Sequence, residues 1–233
     1  MNIFKTNQKF LLILLTIALA LVSCQKEENP SIDSEKAIEA FDNWMKADLS
    51  QIFSGTELNY TVDNQKFLEL SSLDNASEIR FIPGVINNKL TIRIAAVDPA
   101  SQKIIADLWV TDSKETKLLD QLKNRKPYAE SVTDKEILSH QLSFEKLTTY
   151  LSNWNQKSKT DINEMATFNG ERLRFIAYPA KVIQHIAKQN TKETIITWGI
   201  NDENKMTTVF LIFKNSKSIE GFDDGSPCPP ACP

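Results

Sequence analysis

The chain has 233 residues with 27 basic and 30 acidic side chains, a formal charge of −3, and 41% hydrophobic residues. That mild acidity excludes the basic footprint that supplies most of the affinity in nucleic-acid binding. Three cysteines and two histidines exclude a disulfide-dense scaffold and cannot supply the closely spaced four-ligand set of a structural zinc, and no cofactor is implied.

Lys5 and Lys9 precede an uncharged apolar run, Phe10–Val22, of thirteen residues, short of the roughly 20 that span a bilayer. A basic head, a short apolar core and small residues before a cut site describe a secretory signal over residues 1–23. Within it, Leu21-Val22-Ser23-Cys24 resembles the lipobox of bacterial lipoproteins, in which signal peptidase II cuts before an acylated cysteine. The resemblance implies that Cys24 is a lipid attachment site and that the membrane is a partner through that lipid. One acyl chain holds a protein only marginally, so stable anchoring takes the two or three chains of a mature lipoprotein. Gln25-Lys26-Glu27-Glu28 is similar to the surface-export signal of Bacteroidota lipoproteins, with glutamates where aspartates are commoner. It implies the outer membrane, facing outward. Removal of 1–23 takes away two lysines and no acid, so the mature chain is more acidic still.

Residues 24–33 read as a tether into a helix that Asp33 or Ser34 caps, with Glu35 in the first turn where a carboxylate favours the dipole. Ala37, Ala40, Phe41 and Trp44 recur at helical spacing. Leu58–Val62 and Gln65–Ser71 read as a strand pair turning at Asp63-Asn64. Arg80-Phe81-Ile82 reads as a strand, followed by a hairpin of Leu90–Val97 and Lys103–Val110 around five polar turn residues, 98–102. Ser113–Asn124 looks helical, and Pro127 stops it. Residues 125–142 form a linker with a short helix over Asp134–His140.

Ser143 can cap a second amphipathic helix through Leu147, Tyr150, Leu151 and Trp154. Residues 35–44 align without a gap on 145–154 with four of ten positions identical, including Asn43-Trp44 on Asn153-Trp154. Arg174-Phe175-Ile176 repeats the earlier tripeptide, and Thr194–Ile200 with Met206–Phe213 repeats the hairpin pattern. The spacing differs: Trp44 lies 36 residues before Arg80, and Trp154 lies 20 before Arg174. Ala180–Gln189 reads as a short helix inserted in the second copy. These features predict an α+β fold of two tandem modules, 34–124 and 143–215, each a helix packed on an antiparallel sheet. The layering resembles cystatin-like or NTF2-like folds in element order alone. Residues 216–233 read as a flexible proline- and cysteine-rich tail.

Candidate chemistry is sparse. No Gly-x-Ser-x-Gly elbow or phosphate-cradling glycine pattern occurs, so no catalytic residue is assigned. His140, beside the linker, and His185, at a helix edge, lack a recognisable partner. No metal ligands are assigned. Cys228 and Cys232 would lie about 12 Å apart in an extended proline-rich chain, beyond the roughly 7 Å a disulfide tolerates. They pair only if 229–231 turn; otherwise they are free or pair with another chain. Trp109 shares its strand face with Ile105 and Asp107, and an aromatic on a partly polar face can stack a sugar or anchor a protein partner. The leading expectation is a lipid-anchored, non-enzymatic envelope binding module with a protein or glycan partner. The alternatives are an envelope hydrolase with paired carboxylates and a periplasm-facing assembly factor.

Overall fold

The computed structural model describes residues 34–53, 58–110, 113–115, 117–128, 132–157, 161–189, 191–215, 217–223 and 225–232; Cys24 and the signal and tether lie outside them. Helix α1, Ser34–Lys46, buries Ala37, Ala40 and Trp44, with Glu35 in its first turn and Lys46 in its last, both favourable to the helix dipole. A short α2, Leu49–Ile52, follows, capped by Asp48. Strand β1, Leu58–Asp63, runs directly into α3, Asn64–Ser71. The expected turn at Asp63-Asn64 is instead a helix cap: Asp63 Oδ1 accepts from the Gln65 and Lys66 amides at 2.8 and 3.4 Å. Once those amides are satisfied, Phe67 and Leu70 fall on one buried face, and the expected strand Gln65–Ser71 is a helix.

Strands β2 (Glu78–Ile86), β3 (Lys89–Asp98) and β4 (Lys103–Val110) form an antiparallel meander. The region expected to be helical over 113–124 divides into β5 (Ser113–Glu115) and α4 (Leu118–Leu122). Strand β6 (Lys126–Pro127), α5 (Lys135–His140) and β7 (Gln141–Leu142) follow. Helix α6, Phe144–Lys157, is capped as expected, the Ser143 hydroxyl accepting from the Lys146 amide at 3.2 Å. Then come α7 (Ile162–Met165), β8 (Thr167–Phe168), β9 (Glu171–Arg172), β10 (Phe175–Pro179) and α8 (Ala180–Ala187). Strands β11 (Glu193–Ile200), β12 (Met206–Phe213), β13 (Ser218–Phe222) and β14 (Ser226–Cys228) complete the chain.

The fold is α+β, with two principal sheets. The five-stranded sheet runs β14-β10-β2-β3-β4; the seven-stranded one runs β5-β1-β11-β12-β13-β6, with β7 also on β13. Each therefore takes strands from the other half of the chain. Strand β1 pairs with β11, ending at Asp63 opposite Glu193, and β10 pairs with β2, ending at Pro179 opposite Glu78. The two Arg-Phe-Ile segments are thus not counterparts: Ile176 sits opposite Phe81 in one sheet. The two expected hairpins are also one strand out of step, since β11–β12 occupies in its sheet the place of β2–β3. Helix α8 follows β10 directly, as α3 follows β1.

The helices dock alike. Asn43 Nδ2 donates to the Val85 carbonyl at 3.3 Å, and Asn153 Nδ2 to the Ile200 carbonyl at 3.4 Å. Gly84 and Gly199 permit this closeness: a Cβ on either would lie 3.2 Å from the Cβ of Ala40 or Tyr150 respectively. Trp44 and Trp154 are both buried.

Alternation along the strands turns Phe81, Tyr178 and Phe210 toward each other between the sheets, with ring centroids 5.0 to 5.4 Å apart. Strands β1 and β10 also reach across: Tyr60 donates to the Leu90 carbonyl at 3.1 Å, and the Tyr178 hydroxyl lies 3.2 Å from the Thr208 carbonyl oxygen. Within 216–233, expected as a tail, two segments are strands of the principal sheets. Strand β13 buries Ile219 and Phe222, and β14 extends the five-stranded sheet.

Burial raises the Tyr60 and Tyr178 phenols above their ordinary range, with the nearby Asp223 charge a second cause at Tyr178. A group raised in the folded state leaves stability intact below its unfolded value, about 10 for tyrosine, and withdraws it as pH climbs beyond. These two phenols are therefore expected to ionise only together with alkaline unfolding. Tyrosinate absorbance and near-ultraviolet circular dichroism, followed together above pH 10, check this; ionisation of both with the fold intact is the contrary result.

Candidate functional site

The outer face of the five-stranded sheet follows from the same alternation. Arg80, Ile82 and Gly84 point away from the inter-sheet core on β2, and the register places Ala95, Arg93 and Thr91 beside them on β3. Asp107 and Trp109 continue the face on β4, and Phe175 and Cys228 on β10 and β14. Helix α1 covers the Gly84 end of this face. Beyond its contact lies an open groove of about 460 Å³, walled by Ala37, Ile38 and Phe41 of α1, floored by Arg80, Ile82, Arg93, Trp109 and Phe175, and flanked by Gln102, Arg174 and the two cysteines. A volume of this order suits a small ligand or a few side chains of a partner.

Three guanidinium groups line the groove, and among the described residues no carboxylate does. Arg80 is buried and held from two sides: its Nε meets Glu78 Oε1 at 2.5 Å and it bonds Gln102 Oε1, while its Cζ lies 4.3 Å from the Phe175 ring centroid. Gln102 is aimed there by the β3–β4 turn. In that turn Asp98 accepts from the Ala100 amide at 2.9 Å and the Ser101 hydroxyl at 2.8 Å, bonds that lower its carboxyl from the usual range. Gln102 takes φ +59°, a left-handed conformation that closes the turn. Arg93 bonds Asp107 through Nε, with its Cζ 5.9 Å from the Trp109 ring. Arg174 is half exposed and only loosely paired with Glu171 at 3.4 Å. Glu78, Asp107 and Glu171 are thus each engaged as the partner of a groove arginine.

Cys228 and Cys232 are joined to each other, their Cα atoms 4.7 Å apart. The turn that sequence could only pose as a condition is made by the Ala231 amide bonding the Pro227 carbonyl at 3.0 Å. Cys228 sits opposite Phe175 in register, so the disulfide closes one end of the groove. Trp109 faces into the groove with Arg93 as neighbour, and its buried Nε1 has no hydrogen-bond partner among the described residues.

Neither histidine reaches the groove. His140 is buried, its Nδ1 2.9 Å from the Asp223 carbonyl oxygen. Asp223 in turn accepts from Tyr178 at 3.0 Å and Thr207 at 2.6 Å, a satisfied network that ties β10 to the seven-stranded sheet. His185 lies within 2.8 Å of Gln189, just past the end of its own helix. A second buried polar group, Lys214 with Glu220 at 3.3 Å, is supported by Gln141 and Gln189. Among the described residues no three His, Cys, Asp or Glu side chains gather as a metal site would.

The matching outer face of the seven-stranded sheet is filled. Ile195, Val209, Leu211 and Ile219 pack there with Leu147, Tyr150 and Leu151 of α6 and Leu118 and Leu122 of α4. The arginines that distinguish the open face were not singled out from sequence. Their signal is a charge set at alternate positions inside an otherwise apolar strand, as in Ile79-Arg80-Phe81 and Ile92-Arg93-Ile94, where a half-buried face must find a use for it. Compared with protein-family models, curated proteins and solved structures, the chain matches none of them.

Proposed function

We propose that the protein is a non-enzymatic envelope binding protein, anchored in the outer membrane by lipid on Cys24 and facing outward, that receives an anionic, partly apolar ligand in the arginine-lined groove. The observation that carries this reading is the contrast between two like-built faces. One is packed with aliphatic side chains under α4 and α6; the other keeps an open groove lined by Arg80, Arg93 and Arg174. A surface that opposes three cations to an apolar wall selects a ligand with both characters. The membrane address rests on the lipobox-like and export-like segments.

The tandem-module reading belongs here in revised form. The halves follow one element order, helix, short helix, strand, helix, then three strands, as α1-α2-β1-α3-β2-β3-β4 and α6-α7-β10-α8-β11-β12-β13, with the β8–β9 pair added in the second. The paired asparagine bonds and glycine contacts support duplication, followed by exchange of β1 and β10 between the sheets. On this reading the open groove is a place where the first module diverged from a closed ancestral packing.

Anilinonaphthalene sulfonate, an anionic aromatic probe, tests the groove on the compact unit Ile32–Pro233. It is expected to accept energy from Trp109 and to lose that signal in Trp109→Phe. The double variant Arg93→Glu/Arg174→Glu is expected to bind it about tenfold more weakly or worse, the scale of one lost charge-assisted contact. A neutral naphthylamine analogue should be much less affected. Equal binding of the sulfonate to wild type and double variant would remove the groove as an anion site.

A further inference from the structure

We propose that the groove's ligand is a polypeptide segment, extended and acid-bearing, that adds as a strand to the edge of β4 and lays its side chains over the Trp109–Arg93 end of the groove; this rests on the binding reading above. Strand β4 ends the five-stranded sheet, and no described strand pairs with its outer edge. It runs KIIADLWV, with Ile104 39% and Ile105 42% exposed, and its register on β3 shifts at Ile105, so that the regular edge is Ala106–Val110. Lys103 and the shift guard one end, and the remaining unpaired backbone groups can template another strand.

What covers the counterpart edge in the other sheet indicates the occupant. Strand β13 holds the place of β4, and it is capped by extended segments of the chain itself: β6 pairs parallel with it at Ser218 and Ile219, and β7 antiparallel at Gly221 and Phe222. The same stretch of chain sends Leu118 and Leu122 onto the adjoining face. Edge and face are thus occupied together by one polypeptide run. On the first sheet no described strand pairs with the edge and the face beyond α1 is open, and the two adjoin, since Arg93 and Trp109 face each other across β3 and β4 while lining the groove.

The charge then selects the partner. Glu78 and Asp107 take the Nε of Arg80 and Arg93 from outside the groove, and Arg174 is only loosely paired, so the groove lining itself carries guanidinium groups and, among the described residues, no carboxylate. Carboxylate side chains alternating with apolar ones complement it, main-chain bonds to β4 giving affinity and the groove giving selectivity. A second copy of this chain fits worse, because pairing β4 with itself sets one cationic groove against another.

The test uses the full chain in lipid nanodiscs and a displayed library of short random peptides, depleted first on empty discs. The expected outcome is enrichment of sequences alternating acidic and apolar residues. Their binding should fall tenfold or more in Arg93→Glu/Arg174→Glu and in Ile104→Lys/Ile105→Lys. The isoleucines are exposed, so unchanged circular dichroism and melting temperature should show that the second variant still folds. Amide exchange within 103–110 should slow at least tenfold on binding. A synthetic copy of the best peptide, N-methylated at alternate amides, should lose binding in one phase and keep it in the other. Retained binding in both phases, or groove protection without slower exchange in β4, overturns strand addition and leaves the anion-binding groove standing. Enrichment indifferent to charge, or none at all, with the sulfonate probe also indifferent to the arginines, overturns both. A β4-protected dimer of the unliganded protein identifies a second copy as the occupant and overturns the proposal.

Discussion

Truncating Trp44 to alanine is expected to destabilise the protein by about 3–5 kcal/mol, the usual loss for a large buried aromatic, and to unfold both sheets together. The ring is fully buried, and its Nε1 donates to the Leu173 carbonyl at 2.6 Å. The Arg172 guanidinium lies 5.7 Å from the ring centroid. Both partners come from the other half of the chain. Removing the indole therefore opens a cavity and leaves a buried carbonyl without its donor, which adds a penalty of about 1–3 kcal/mol unless water enters.

Trp154 mirrors this without the hydrogen bond. Its ring meets Phe53, from the first half, edge-on at 5.0 Å, and its buried Nε1 has no partner among the described residues. Trp154→Phe should accordingly cost less than Trp44→Phe, since only the latter forfeits a made bond. Urea titrations followed by circular dichroism separate these cases through shifts in midpoint at constant slope. The expected curve is a single transition, because each tryptophan and each exchanged strand binds one half to the other. Two transitions, one per half, would show that the strand exchange does not couple them.

Replacing Cys24 with alanine is expected to abolish acyl labelling, leave uncleaved precursor and prevent normal anchoring. The physical ground is additive: each buried methylene contributes about 0.8 kcal/mol, so one chain gives reversible attachment and two or three give a stable one. Without the thiol no diacylglyceryl chain is added, and the peptidase that cuts before a modified cysteine has no substrate. Metabolic labelling with a palmitate analogue reads the first step and gel mobility the second. In cells carrying the wild-type protein, added protease should degrade it, as the Gln-Lys-Glu-Glu run implies. Labelling of Cys24→Ala equal to wild type would refute the anchor, and protection of the wild type until the envelope is opened would place it on the inner leaflet.

Local order was legible in the residues alone. The apolar spacing of Ala37, Ala40 and Trp44, and of Leu147, Tyr150 and Trp154, determined two amphipathic helices and their buried tryptophans, because a 3.6-residue period needs no knowledge of what lies opposite. The Asn-Trp match carried further than expected: it marks the same helix-to-sheet bond in both halves. The segment 64–71 was misread where its signal was also local, since Asp63 caps the next two amides in a place that looks like a hairpin turn.

What only the tertiary structure decided was pairing. The period of two says which side chains share a face of a strand but is silent on which strand lies beside it. Two halves with strands of similar pattern offer each strand more than one partner, so β1 beside β11 and β10 beside β2 could not be told from pairing within each half. The groove depends on that choice. Strand β10 carries Phe175 to the side of Arg80, and β14 follows it with Cys228, so residues from 37 to 232 meet on one face. Each of those side chains is unremarkable along the chain; the site arises from the register of strands distant in sequence, which is set by burial of the whole inter-sheet core.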